Sequence, residues 1–224
     1  MAYQFKGFSG VVADVAGSLF RALKVQASPF DSGALGHYTY GGFSGVLPAA
    51  LAANSEIFQF RWSDATRLCL INEVKISAAV STTMFAAGVP VQIDLVKATA
   101  WTAAGTLGTR ITPAALLKKR TSMGSSLVAA GDIAIATTAA LGAGTKTLET
   151  AAMATLAGAG PITGALNGEI FAPGTILYRG ETGDGQHPLL FAQNEGFVIR
   201  SVAVPATGTW TVAIQIDWTE ITAF

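Results

Sequence analysis

Between Gly208 and Ile221 the side chains alternate in type with hardly a break. Successive side chains of a β-strand point to opposite faces, so Trp210, Val212, Ile214, Ile216 and Trp218 share one face, and Thr211, Ala213, Gln215, Asp217 and Thr219 the other. A helix would bring apolar positions back at intervals of three and four and would scatter these residues round its axis. The run therefore predicts a long strand half buried in a core. It stands at the end of the sequence, so it is expected to pair with strands made much earlier in a β protein rich in non-local contacts.

The same period recurs upstream. Residues 55–62 place Phe58, Phe60 and Trp62 on one face. After a turn at 63–67, Val74 and Ile76 point away from Glu73 and Lys75, which predicts two adjacent strands. Gly88 and Pro90 mark a reversal, and beyond it Val91, Ile93 and Leu95 alternate with Gln92, Asp94 and Val96 up to Trp101. Strands are also expected at 174–179 and 195–202, with a tight polar loop at 180–185. Pro205-Ala206-Thr207-Gly208 reads as the turn of a hairpin joining the last two strands. Short strands between turn residues are the pattern of an antiparallel sandwich or barrel.

Two stretches are less patterned. Residues 1–18 carry Gly7, Gly10 and Gly17 among scattered apolar side chains and read as an N-terminal arm, with a strand near 19–27 before Pro29. Residues 102–167 are dominated by Ala, Gly and Thr. There, 113–119 reads as a short helical turn, 132–135 as a short strand, and Leu148, Ala152, Met153 and Leu156 as a helical stripe. Ile133, Ile135, Leu141, Leu148 and Met153 are too apolar for a disordered linker, so long loops and edge strands packing against a partner are expected. The fold class is thus all-β, an antiparallel sandwich of jelly-roll type, with an arm at 1–18 and one domain at 19–224.

Charged residues make up 12% of the chain and hydrophobic ones 50%. That is roughly half the usual charged share, so much of the exterior falls to small residues, as suits a subunit that covers its surface with neighbours. Fourteen basic side chains match fourteen acidic ones, and no net field draws the chain to nucleic acid or to an anionic membrane. No apolar run has the length of a membrane span. The first seven residues lack the pattern of a signal peptide, so the chain is expected to be made and kept in a cytosol-like compartment until it is assembled. The one cysteine, Cys69, lies among Leu68, Leu70 and Ile71 and reads as a buried small hydrophobe.

Motifs that carry chemistry are not matched. Gly42-Phe43-Ser44-Gly45 is one residue short of a nucleophile elbow, and in 142–147 a threonine separates the glycine from the lysine that a phosphate loop requires. Glu181, Asp184 and His187 have a spacing that lets three side chains converge on a metal, but Gly183-Asp184-Gly185 reads as a plain turn. His37 has no carboxylate near it in sequence. Lys118-Lys119-Arg120 is too short for a nucleic-acid stripe and fits a solvated corner or a salt bridge to a neighbouring subunit. Trp62, Trp210 and Trp218 read as core, leaving Trp101 as the candidate exposed aromatic. No catalytic, cofactor-binding or metal residues are therefore assigned, and no enzyme activity is expected.

Residues 52–62 (Ala-Ala-Asn-Ser-Glu-Ile-Phe-Gln-Phe-Arg-Trp), 120–124 (Arg-Thr-Ser-Met-Gly), 190–197 (Leu-Phe-Ala-Gln-Asn-Glu-Gly-Phe) and 205–210 (Pro-Ala-Thr-Gly-Thr-Trp) resemble a group of uncharacterised structural (virion) proteins of tailed bacteriophages. The resemblance runs from about Gly36 onward and brings no active-site residues with it. It implies a virion component, expected as a capsid decoration (cement) protein. Its expected partners are copies of itself, as a trimer, and the major capsid protein or other virion subunits, with no direct contact to nucleic acid or membrane. The alternatives are a tail, collar or fibre component, or a carbohydrate-binding module for host attachment.

Overall fold

The computed structural model describes residues 3–6, 12–15, 36–85, 90–113, 116–159, 168–180 and 188–222. The chain divides into two units, Met1–Asp31 and Ser32–Phe224. In the first, β1 (Tyr3–Lys6) pairs antiparallel with β2 (Val12–Val15), so the expected arm contains a strand pair. The strand expected near 19–27 and the polar loop from 181 on lie outside the described residues.

The second unit is two antiparallel sheets packed face to face, the expected all-β sandwich. The first sheet runs β11 (Thr145–Leu148), β7 (Pro90–Ala103), β15 (Glu195–Ala203), β5 (Ser55–Trp62), β10 (Ile133–Ile135), β8 (Thr109–Arg110), and β12 (Ala154–Ala159) also pairs with β7. The second runs β13 (Glu169–Arg179), β6 (Leu68–Val80), β16 (Thr209–Ile221), β3 (His37–Phe43), β9 (Leu117–Lys118). There β14 (Leu189–Phe191) extends the β13 edge along β6, and β4 (Leu47–Pro48) pairs with the start of β16.

The closing strand β16 is half buried, as its alternation predicts, and it lies at the centre of its sheet. It pairs with β6 from Trp210 to Ile221 and with β3 from Ala213 to Thr219, and Trp210, Val212, Ile214, Ile216 and Trp218 are all buried. A register shift between Asp217 and Trp218 breaks the period, and Thr219 and Glu220 are buried as well. Aromatic rings fill the space between the sheets. Phe60 of β5 lies 5.5 Å from Phe197 on the neighbouring strand and 5.7 Å from Trp218 of the opposite sheet.

Two expected pairings are corrected. Strands β5 and β6 lie in opposite sheets. The turn between them is held by Asp64 Oδ1, which accepts from the backbone N of Thr66 at 2.7 Å and of Arg67 at 2.8 Å, and by Trp62 Nε1, which donates to Arg67 O at 2.9 Å. The last two strands likewise form no hairpin: β15 pairs with β5 and β7, whereas β16 pairs with β6, β3 and β4. Turn residues fix a reversal of direction but not whether the chain stays in its sheet. Two strands that each present an apolar face can meet across a core as readily as beside one another. At the second crossing Gly208 has φ +113°, and a Cβ there would stand 2.5 Å from the Phe85 ring.

The middle of the chain is more ordered than its composition predicts. The strand at 133–135 is present and fully buried, while in the stretch expected to be a helical turn Leu116 N donates to Pro113 O at 3.1 Å and the strand β9 follows at Leu117–Lys118. The helical stripe does not form. Leu148 and Ala154 instead pair with Ala98 and Leu95 of β7, so three extra residues bulge out between β11 and β12. That bulge drops Leu148 and Ala152 onto Val96, Ala98, Trp101 and Val198 on the outside of the first sheet, while Leu156 packs on the main core and Met153 is exposed. Leu148 and Ala152 thus cover part of the chain's own sheet, whereas Leu107, Leu127 and Met153 are exposed. On β5, Gly142 and Lys146 reach the outward Gln59 and Glu56, and the strand is buried on both faces from Glu56 to Phe60.

Candidate functional site

The outer face of the second sheet carries two neighbouring grooves. Tyr38 and Tyr40 of β3 point into the core, so alternation sends Thr39, Gly41 and Phe43 outward. Register sets Gln215 between Gly41 and Lys75, and Ala213 between Phe43 and Ser77; Thr211 and Ala79 pair next along. Small side chains leave this face low, and Phe43 stands out of it with 66% of its surface exposed. On one side of Phe43 a groove of about 360 Å³ runs past Lys75, Gln215 and Gly174, and on the other a smaller one of about 120 Å³ lies against Phe171, Pro173 and Thr211. Ile176 of β13, paired with Lys75, is 42% exposed. At one end of the face Glu73 bridges Lys75 at 2.5 Å and also Arg179, and Asp217 bridges Lys119 at 3.3 Å, while Glu169 lines the smaller groove at the other end. A flat face of Gly, Ala, Ser and Thr lets another backbone approach closely, and a lone protruding aromatic is the kind of anchor that dominates protein contacts.

A second constellation is buried on the outside of the first sheet. Residues i and i+3 of a regular strand face opposite ways. Between Glu56 and Phe58, however, β5 carries one residue more than its partner β15, which pairs Arg200 with Glu56 and Ile199 with Phe58. The extra residue turns Glu56 to the side of Gln59. Gln59 Nε2 donates to Glu56 Oε2 at 2.6 Å and to Gly142 O at 2.8 Å, and Lys146 Nζ donates to the same Glu56 Oε2 at 2.8 Å. Lys146 Nζ also contacts Ala143 O and lies 4.5 Å from the centre of the Trp101 ring. The lysine side chain is 2% exposed, Gln59 is fully buried, and no donor reaches Gln59 Oε1. Burial lowers the Lys146 ammonium from its ordinary pKa, against the pull of Glu56 and with a smaller push from Arg110.

The residues singled out in the sequence are distributed as follows. Trp101, expected to be exposed, is 1% exposed: its ring is enclosed by the bulged edge strand, and its Nε1 donates to Ala103 O at 3.1 Å. His37 is half-buried, with Nε2 3.3 Å from Asn72 Nδ2 and its backbone N on Met123 Sδ at 3.3 Å. Burial and then Lys119 lower its pKa, opposed by Asp217. Ser44 is buried, and its Oγ accepts from Val212 N at 2.9 Å and donates to Gly45 O at 2.8 Å, a structural role. Lys119 of the basic cluster forms its salt bridge within the chain, to Asp217. Cys69 is fully buried as expected, its thiol pushed up by burial. Glu181, Asp184 and His187 lie outside the described residues. Among the described residues, no group of three or more His, Cys, Asp or Glu side chains is placed to hold a metal ion.

Glu220 ties down the segment before β10. Its Oε1 accepts from Ser126 Oγ at 2.6 Å, Leu127 N at 3.1 Å and Trp218 Nε1 at 3.3 Å, while Tyr38 Oη donates to Gly124 O at 3.0 Å. Burial raises the Glu220 carboxyl by more than these hydrogen bonds lower it, and Asp64 adds a small push upward. A carboxyl that keeps its proton to higher pH when folded contributes stability that is full below its unfolded pKa and lost as pH rises through its folded one. The stability of wild type relative to Glu220→Gln, read from urea midpoints, should therefore fall as pH climbs above the ordinary carboxylate range. A difference that does not change with pH would contradict this.

No family model matches the chain, and no curated protein or solved structure matches it significantly. Two features escaped the sequence reading: the outward Phe43 and the Glu56, Gln59, Lys146 cluster. The first was available from the parity of Tyr38 and Tyr40. The second depends on a bulge that no sequence signal announces.

Proposed function

We propose that the chain is a structural subunit of a tailed-bacteriophage virion, a capsid decoration (cement) protein that acts by contact with further copies of itself, as a trimer, and with shell subunits. The observation that carries the reading is the outer face of the second sheet, with Phe43 66% exposed on a bed of Gly41, Ser77, Ala79, Thr211 and Ala213, in a chain of 12% charged residues. Apolar surface removed from water stabilises a contact by about 25 cal/mol per Å². Summed over a shell of repeated contacts, of roughly 800 Å² per partner each, this holds subunits together with no bond made or broken. The resemblance of 52–62, 120–124, 190–197 and 205–210 to virion proteins supports the same reading.

The test is to count copies of this chain in purified particles by quantitative mass spectrometry. A decoration protein is present at a copy number that scales with the shell. A few copies per particle would move the assignment to the tail, collar or fibre, and none would end it.

A further inference from the structure

Most polar side chains buried in this chain bridge strands or loops and have their partners. The cluster at Glu56 differs in chemical kind. It brings a primary amine, a carboxamide and a carboxylate together out of water, with the amine and the carboxamide nitrogen on one carboxylate oxygen, at 2.8 and 2.6 Å. The carboxamide is held by its nitrogen alone, since Gln59 Oε1 is buried and meets no donor. Buried polar atoms are nearly always paired, so an orphan of this kind calls for an explanation. The wall beside the amine is the Trp101 ring, 4.5 Å from Lys146 Nζ, and the lysine side chain is 2% exposed.

We infer that Lys146 and Gln59 become joined by an intramolecular isopeptide bond, with Glu56 as the proton carrier. Glu56 takes a proton from the Lys146 ammonium and leaves a neutral amine, a step favoured because a dry site penalises buried charge. The Nζ lone pair attacks Gln59 Cδ, and a bond forms between Nζ and Cδ as the carbonyl electrons move onto Oε1. Glu56 passes its proton to Gln59 Nε2 and accepts one from the attacking nitrogen. The bond between Cδ and Nε2 then breaks as Oε1 regains its double bond, and the nitrogen departs as ammonia. One amide replaces another, nothing is oxidised or reduced, and the proton left on Glu56 departs with the ammonia as ammonium. Proximity supplies the driving geometry, because both reactants are already fixed on one oxygen. The lowered Lys146 pKa acts in the same direction. The product would fasten the edge strand β11 to the central strand β5, across which the chain otherwise relies on hydrogen bonds and packing.

The experiment is an intact mass of the full folded chain, denatured only for the measurement, followed by peptide mapping. The expected result is a chain lighter than its sequence by one ammonia, with a branched peptide that joins the segments containing Gln59 and Lys146. Lys146→Arg and Glu56→Gln should each restore the full sequence mass. The wild-type measurement stands whether or not those variants fold. A wild-type chain that keeps its full sequence mass after prolonged incubation overturns the inference. So does a loss of ammonia that persists in Lys146→Arg or maps to other residues. The count of copies per particle is independent of either outcome.

Discussion

Phe60→Ala should cost about 3–5 kcal/mol of folding stability, the range for truncating a buried aromatic ring. Phe60 is fully buried, and its ring packs against two aromatic rings of the opposite sheet. Phe197, 5.5 Å away, comes from its own sheet, whereas Trp218 at 5.7 Å and Phe191 at 6.4 Å come from the other. The sheets meet through rings on both sides, so neither can close over the space left behind without moving a strand. Against a total of about 5–15 kcal/mol, such a loss removes a large fraction of the chain's stability. Urea unfolding checks it: the midpoint should drop sharply while the slope is kept, because the surface exposed on unfolding is the same. A loss under about 1 kcal/mol, the level of an ordinary substitution, would mean that this ring is not where the sheets are joined.

Phe43→Asp should have the opposite profile. The side chain is 66% exposed on the outer face of β3, so folding stability should shift by no more than about 0.5 kcal/mol, as for other surface changes. Association should suffer instead. Burying a phenylalanine side chain contributes about 1.5–3 kcal/mol, and a carboxylate enclosed in its place would have to shed its water without a partner. A single contact therefore weakens by roughly ten- to a hundred-fold, and more where the face is used repeatedly in a ring of copies. Binding to particles that lack this chain checks the effect. Equal binding by wild type and variant would remove Phe43 from the contact.

Much of the fold was legible because β alternation is a direct imprint of a half-buried face. The runs at 55–62 and 210–218 gave their core residues correctly, down to Trp62, Trp210 and Trp218. Partnership was not legible. The turns at 63–67 and 204–208 change sheets, and the same residues would suit a hairpin, since local chemistry fixes a reversal and only the distant strands decide which sheet receives the chain. The stripe Leu148, Ala152, Met153 and Leu156 misled for a related reason: a three-residue bulge in an edge strand mimics a helical spacing. Trp101 was misplaced because the segment that buries it belongs to the Ala/Gly/Thr-rich stretch, whose small side chains leave no pattern to read. Phe43 needed only the parity of β3, whereas Glu56 and Gln59 share a face through an insertion visible only against the partner strand.

The central claim is that the small-residue face around Phe43 is a contact surface between subunits, and sedimentation of the purified chain over a wide range of concentrations tests it most directly. Growth from a monomer to a discrete closed oligomer, absent in Phe43→Asp, is the predicted result. A single monomeric species at every concentration, the same for wild type and variant, would contradict it.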